Sequence, residues 1–174
     1  MRQLLHVLTF ILSTLSAYSQ GFNERHPNIQ NFINEINAEL ATSEKVTVEN
    51  EELMEQMTDG GGELTGYFAN GQIQKMELSV GLSYGISELE FFYGDSKLYF
   101  VLETFRQFKY NEETGSFNYS TTEQTFKGEY LFVDPFDYET LGHNRFENDE
   151  LDPEEVLGNE ANTYLIILQK KNAR

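Results

Sequence analysis

Asn70-Gly71, set between two strand-like runs, constrains this chain more than any other feature. Both central residues of a two-residue type I′ turn need positive φ, and Asn-Gly meets that need, so the pair predicts a β-hairpin. The runs around it alternate with a period of two. Val46 and Val48 alternate with Lys45, Thr47 and Glu49, and strand-like runs follow over Glu63–Ala69, Gln72–Val80 and Ile86–Tyr93. Gly94-Asp95-Ser96 marks a second turn, followed by a long aromatic strand from Leu98 to Tyr110. Asn111 to Ser116 reads as a solvated loop, Phe117 to Val133 as a further strand, and Asp134-Pro135 as a third turn leading to Phe136 and Tyr138. Residues 50–58 fit either a strand or one helical turn. Phe68-Ala-Asn70 and Tyr93-Gly-Asp95 are a weak internal repeat, which we read as the ordinary habit of meanders rather than a true array.

Two helices bracket the strands. Ile29, Phe32, Ile33, Ile36 and Leu40 share one face of a 3.6-residue period after Pro27, which suits a first helical position. Asp152-Pro153-Glu154-Glu155 combines an N-cap acid, an early proline and a glutamate at N3, a clear helix start. Val156, Leu157, Ala161, Tyr164, Leu165 and Leu168 follow as an apolar stripe, and Lys170, Lys171 and Arg174 suit the negative end of the helix dipole. The expected fold is α+β: an antiparallel meander of five to seven strands over roughly residues 45–141, flanked by an N-terminal and a C-terminal helix.

Residues 1–19, MRQLLHVLTFILSTLSAYS, carry Arg2, a short apolar stretch and the small residues Ala17 and Ser19. That is the pattern of a secretory signal peptide, with cleavage expected between Ser19 and Gln20. The apolar stretch is shorter than the roughly 18 residues a spanning helix needs. Residues 20–174 are then a single domain, secreted or periplasmic, with no membrane insertion after cleavage. The 29 acidic residues outnumber the 12 basic ones and give a formal charge of −17, which excludes nucleic acid and anionic membrane surfaces as partners. Cysteine is absent, so disulfides, thiolate metal sites and thiol nucleophiles are excluded, and the fold rests on its core.

Asp59-Gly-Gly-Gly-Glu-Leu-Thr-Gly-Tyr-Phe-Ala-Asn-Gly71, Gly81-Leu-Ser-Tyr-Gly85, Glu90-Phe-Phe-Tyr93 and Lys97-Leu-Tyr-Phe-Val101 together resemble a group of small secreted proteins of the Bacteroidetes. The turn-and-tyrosine units are similar to β-hairpin repeats of the MORN class. The resemblance implies compartment and architecture and transfers no site residues. Asp134-Pro135 departs from the Asn-Gly type of turn that such proteins carry there.

Few motifs carry chemistry. Gly81-Leu82-Ser83-Tyr84-Gly85 matches the G-x-S-x-G nucleophile elbow, making Ser83 the candidate catalytic residue. The elbow needs a strand–turn–helix context, whereas Ile86 to Tyr93 alternates like a strand, so a bend between strands is the expectation. His26 and His143 are the histidines left after cleavage, too few to give a zinc spacing. Glu88, Glu90 and Glu103 lie within aromatic strands, where a carboxylate pair could serve glycoside hydrolysis, but they read as the solvent face of a two-sided sheet. The acidic run 147–155 offers Asp149, Asp152 and Glu155 as calcium ligands but lacks the glycine of an EF-hand loop, and it reads as a solvated linker. Gly60 to Gly62 lacks the lysine and helix start of a phosphate loop. Tyr99, Phe105, Phe108 and Tyr110 are the candidate binding residues, because aromatics on both faces of one strand leave a potential exposed patch. The expected function is a secreted, non-enzymatic interaction or binding module for a protein or small ligand, without a cofactor. A small hydrolase using carboxylates or Ser83, and a structural cell-envelope component, are the alternatives.

Intact-mass measurement of the protein exported by a producing cell tests the leader. The expected species starts at Gln20; a mass that retains residues 1–19, or recovery only with membranes, refutes cleavage.

Overall fold

The computed structural model describes residues 26–53, 58–134, 137–141, 145–146 and 150–173. The chain divides into two compact units, Met1–Ala38 and Glu39–Arg174. Helix α1 spans Pro27–Glu39, all but its last residue in the first unit. Ile29 and Ile36 are buried and Phe32 and Ile33 half-buried, while Asn31, Asn34 and Glu35 are exposed, as the 3.6-residue spacing predicts.

The second unit is a seven-stranded antiparallel sheet in which every strand lies beside its neighbours in sequence. The strands are β1 (Glu44–Glu49), β2 (Gly62–Ala69), β3 (Gln72–Leu82), β4 (Gly85–Gly94), β5 (Lys97–Asn111), β6 (Ser116–Asp134) and β7 (Asp137–Leu141). Helix α2 (Pro153–Asn172) follows. No described helix is long and apolar enough to cross a membrane. The α+β class and the strand number agree with the sequence pattern. The ambiguous stretch after β1 contains a short 3-10 turn over Asn50–Glu52. The turn expected at Asp134-Pro135 falls on residues outside those described, although Asp134 and Asp137 on either side of it are paired.

Two turns explain the register. Asn70 and Gly71 have φ of 53° and 76°, and Asp95 and Ser96 have φ of 50° and 63°, as a type I′ turn requires. Each hairpin carries a bulge at the same offset. Phe68 pairs with Ile73 and Tyr67 with Lys75, leaving Gln74 as the extra residue. Tyr93 pairs with Leu98 and Phe92 with Phe100, leaving Tyr99. The weak repeat in sequence is therefore a repeated hairpin geometry. Gly60 and Gly61 answer a different need. Their loop lies so close to β3 that a Cβ on Gly60 would sit 2.7 Å from the Gly81 Cα. The Gly60 N–H donates to the Gly81 carbonyl at 3.1 Å, and the Gly81 N–H to that of Gly61 at 2.9 Å.

Phe92, Phe100 and Leu131 are buried on one face of the sheet, while the larger core cluster forms on the opposite face, which α2 covers. The registered rows Val46, Gly66, Met76, Phe91, Val101, Tyr130 and Val48, Leu64, Leu78, Leu89, Glu103 run across the strands on that face. Leu157, Ala161 and Leu168 of α2 are buried in the same cluster. Asp152 caps the helix as the sequence predicts, its side chain accepting from the Glu154 N–H at 3.0 Å. Gly66 lets the helix approach, because an added Cβ would lie 2.6 Å from Leu168 Cδ1. Gly158 of α2 faces open space.

Gly66→Ala should therefore cost about 1–3 kcal/mol by overpacking. Gly158→Ala should gain about 0.5–1 kcal/mol from helix propensity. Urea denaturation of both variants checks the signs, and a neutral Gly66→Ala would show that α2 does not press on the sheet there.

Candidate binding surface

Beyond Gly85↔Gln107, the last pair with β4, strands β5 and β6 continue as a two-stranded arm through Lys109↔Asn118, Tyr110↔Phe117 and Asn111↔Ser116. Asn111 closes the tip. Its Oδ1 accepts from the N–H groups of Glu113 at 2.9 Å and Thr114 at 3.3 Å. Its carbonyl accepts from Gly115, whose φ is +64°. The segment expected to be a solvated loop is exposed throughout and is closed as a tight turn. At the base, the Phe108 N–H donates to the Tyr84 carbonyl at 3.0 Å.

A two-stranded ribbon is marginal in water by itself. Here two cross-strand ring pairs hold it. Tyr110 and Phe117 meet edge to face with centroids 5.3 Å apart, and Phe108 and Tyr119 at 5.0 Å. Such pairs are worth about 0.5–1.5 kcal/mol each. Alternation puts Phe108 and Tyr110 on one face of β5, so the contacts place all four rings there. Tyr110 is 57% exposed and Tyr119 66%. Residues 119–121 of β6 have no partner between Asn118↔Lys109 and Thr122↔Phe108, and this irregularity carries Tyr119.

The candidate aromatics thus part company. Phe108 and Tyr110 lie together. Phe105 projects from the other face, where its ring meets Tyr84 at 5.5 Å. Tyr99 is the half-buried extra residue of the β4–β5 hairpin. Phe117 and Tyr119, which complete the surface, were missed in the sequence. Their signal was the i, i+2 spacing after a turn, which antiparallel pairing places opposite Tyr110 and Phe108.

Ser83 lies with Tyr84 in the exposed turn between β3 and β4, closed by Leu82↔Gly85. The surrounding structure is strand–turn–strand, not the strand–turn–helix of an elbow. Asp152 is engaged as the α2 N-cap and Glu155 is exposed in the first turn. Asp149 and His143 lie outside the described residues. Among the described residues no three acidic or histidine side chains are grouped to hold a metal.

The arm's aromatic face continues into a face of glutamates. Glu49, Glu63, Ser79, Glu88, Thr104 and Lys127 form one registered row, and Thr47, Thr65, Glu77, Glu90, Leu102 and Glu129 the next. Glu77 and Glu90 stand directly opposite one another, and buried Lys75 bridges them with contacts of 2.6 Å to each. The Tyr67 hydroxyl donates to Glu77 at 2.9 Å. Burial and that carboxylate push its pKa up to about 12. Glu88 pairs with Arg106 at 2.6 Å, and Glu129 with Lys127 at 2.6 Å.

Glu103 corrects the sequence reading. It lies on the core face rather than the solvent face, and is 7% exposed. The Tyr130 hydroxyl donates to its Oε2 at 2.9 Å, and Arg145 Nε lies 3.6 Å from its Oε1. Arg145 is held more closely by Glu160 of α2, at 3.0 and 2.9 Å. Burial therefore prevails over the shared guanidinium and the tyrosine, and the Glu103 pKa is raised above its ordinary 4.5. This network joins α2 to β5 and β6. Comparison with protein-family models, curated proteins and solved structures finds no match.

A carboxyl whose folded pKa is raised contributes stability below its unfolded pKa and loses that contribution as pH rises through the folded value. Glu103→Gln should therefore gain relative to the native protein as pH rises from about 4.5 to 7.5. Urea denaturation at both pH values tests this, because the other carboxylates are common to both proteins. A pH-independent difference, or one favouring Glu103 at the higher pH, would show that Arg145 dominates.

Proposed function

We propose that this protein is a secreted, non-enzymatic binding module whose contact surface is the one-sided aromatic face of the β5–β6 arm. The observation that carries the reading is the exposure of Tyr110 and Tyr119 on rings already ordered by cross-strand partners. Tyrosine supplies large contact area at low conformational cost, and ordering in the free state lowers that cost further. The leader-like residues 1–19 support export.

Photocrosslinking in the producing cell tests the assignment. A benzophenone side chain at position 110 or 119 should give a discrete adduct, whereas one replacing Ile166, an exposed residue of α2, should not. Equal labelling at all three positions, or no adduct from the arm, would refute the surface.

A further inference from the structure

We infer that the occupant of this surface is an extended, arginine-rich polypeptide segment, which stacks guanidinium groups on Tyr110 and Tyr119 and continues across the glutamate face toward Glu49 and Glu63. This rests on the arm being the contact surface and adds the chemistry of its partner.

Charge makes the first selection. At a formal −17 the chain repels a second copy of itself and any acidic segment, and it draws cations from a distance. The exposed rings make the second. An aromatic face attracts a cation, and the planar guanidinium stacks there better than a compact ammonium. The register makes the third. Like charges directly opposite one another on adjacent strands are destabilising. Strands β1 to β4 hold two such pairs, Glu77↔Glu90 and Glu49↔Glu63. Lys75 neutralises the first from within, at 2.6 Å from both carboxylates. Glu49 and Glu63 are both exposed and have no basic partner among the described residues. They line a shallow depression with Ser79 and Ile86. An incoming guanidinium would do for this pair what Lys75 does for its neighbour, with the bidentate geometry that suits carboxylates.

The two ends are one segment apart. From Tyr110 to Thr104, in the Glu88 row, β5 advances six residues, about 20 Å, and three strand spacings of about 4.8 Å separate β5 from β2. The diagonal is about 25 Å, the span of roughly eight extended residues. Arg106 and Lys127 lie beside this path but are already paired with Glu88 and Glu129.

Fluorescence anisotropy with labelled octa-arginine tests the inference on the exported protein. Octa-arginine should bind more tightly than octa-lysine. Tyr110→Ala with Tyr119→Ala leaves the net charge unchanged and should weaken octa-arginine binding at least tenfold. Glu49→Gln with Glu63→Gln should weaken it about fivefold while raising the melting temperature, and it keeps the test open if the arm variant misfolds. If the tyrosine variant folds and binds octa-arginine within twofold of the native protein, only the diffuse field is at work and the inference fails. Arm-dependent binding of octa-aspartate or of an uncharged Gly-Ser octamer would overturn the cationic partner but leave the arm as the contact surface. Dimerisation in sedimentation that is lost in the tyrosine variant would make a second copy the occupant and likewise overturn it. Absence of any arm adduct in the photocrosslinking experiment removes the surface itself.

Discussion

The seating of α2 across the core face of the sheet is the interaction on which the rest depends. One side of the helix meets successive strands as it descends. Glu160 holds Arg145 beside Glu103 of β5, Tyr164 meets Phe91 of β4 edge to face at 5.9 Å, and Leu168 lies over Gly66 of β2. Lys171 ends the series on Glu52, just past β1, at 2.6 Å. These residues recur every three or four positions, so they stack on one helix face. On this face of the sheet α2 supplies the apolar cover by crossing the strands rather than following one of them.

The other face is mixed: Phe92, Phe100 and Leu131 are buried in one registered row with Lys75, and the two rows beside it carry most of its glutamates. Its glutamates are tolerated because the ladder sets acids beside bases as well as beside acids. Lys75 is the clearest case. It is 4% exposed, bridges two carboxylates and holds its ammonium 4.8 Å from the Phe92 ring centroid. A buried lysine needs such company, since an uncompensated ammonium would lose its proton or unfold its surroundings. Arg106 is less fully served: its Nε is buried without a hydrogen-bond partner, although its terminal nitrogen reaches Glu88.

Much of the fold was legible because local rules and the global structure agree. Asn70-Gly71 states its own turn type, Val46 and Val48 state their face, and Asp152-Pro153 states a helix start. The misses share a different cause. Glu103 looks like its neighbours Glu88 and Glu90 in sequence, and only odd-against-even position on paired strands separates it from them. Its partners Tyr130 and Arg145 are 27 and 42 positions away, beyond any local pattern. Alternation spreads Tyr99, Phe105, Phe108 and Tyr110 over both faces of one strand, but the sequence shows neither which face is exposed nor where the bulges fall. Phe117 and Tyr119 were passed over because the Asn111 side chain closes a turn where the composition reads as open loop.

The neighbour-only order of the strands also sets a sequence of events in time. Each strand of the sheet finds its partner in the segment synthesised just before it, so pairing can proceed as the chain emerges, and contacts close in sequence favour rapid folding. The helix that seals the apolar face comes after the last strand. Until α2 arrives, Val48, Leu64, Met76 and Phe91 are displayed on a nearly finished sheet, the form of intermediate most prone to aggregate. Vectorial growth thus makes the final helix a completion signal: a chain interrupted before Pro153 would hold a well-paired sheet and no means of hiding it.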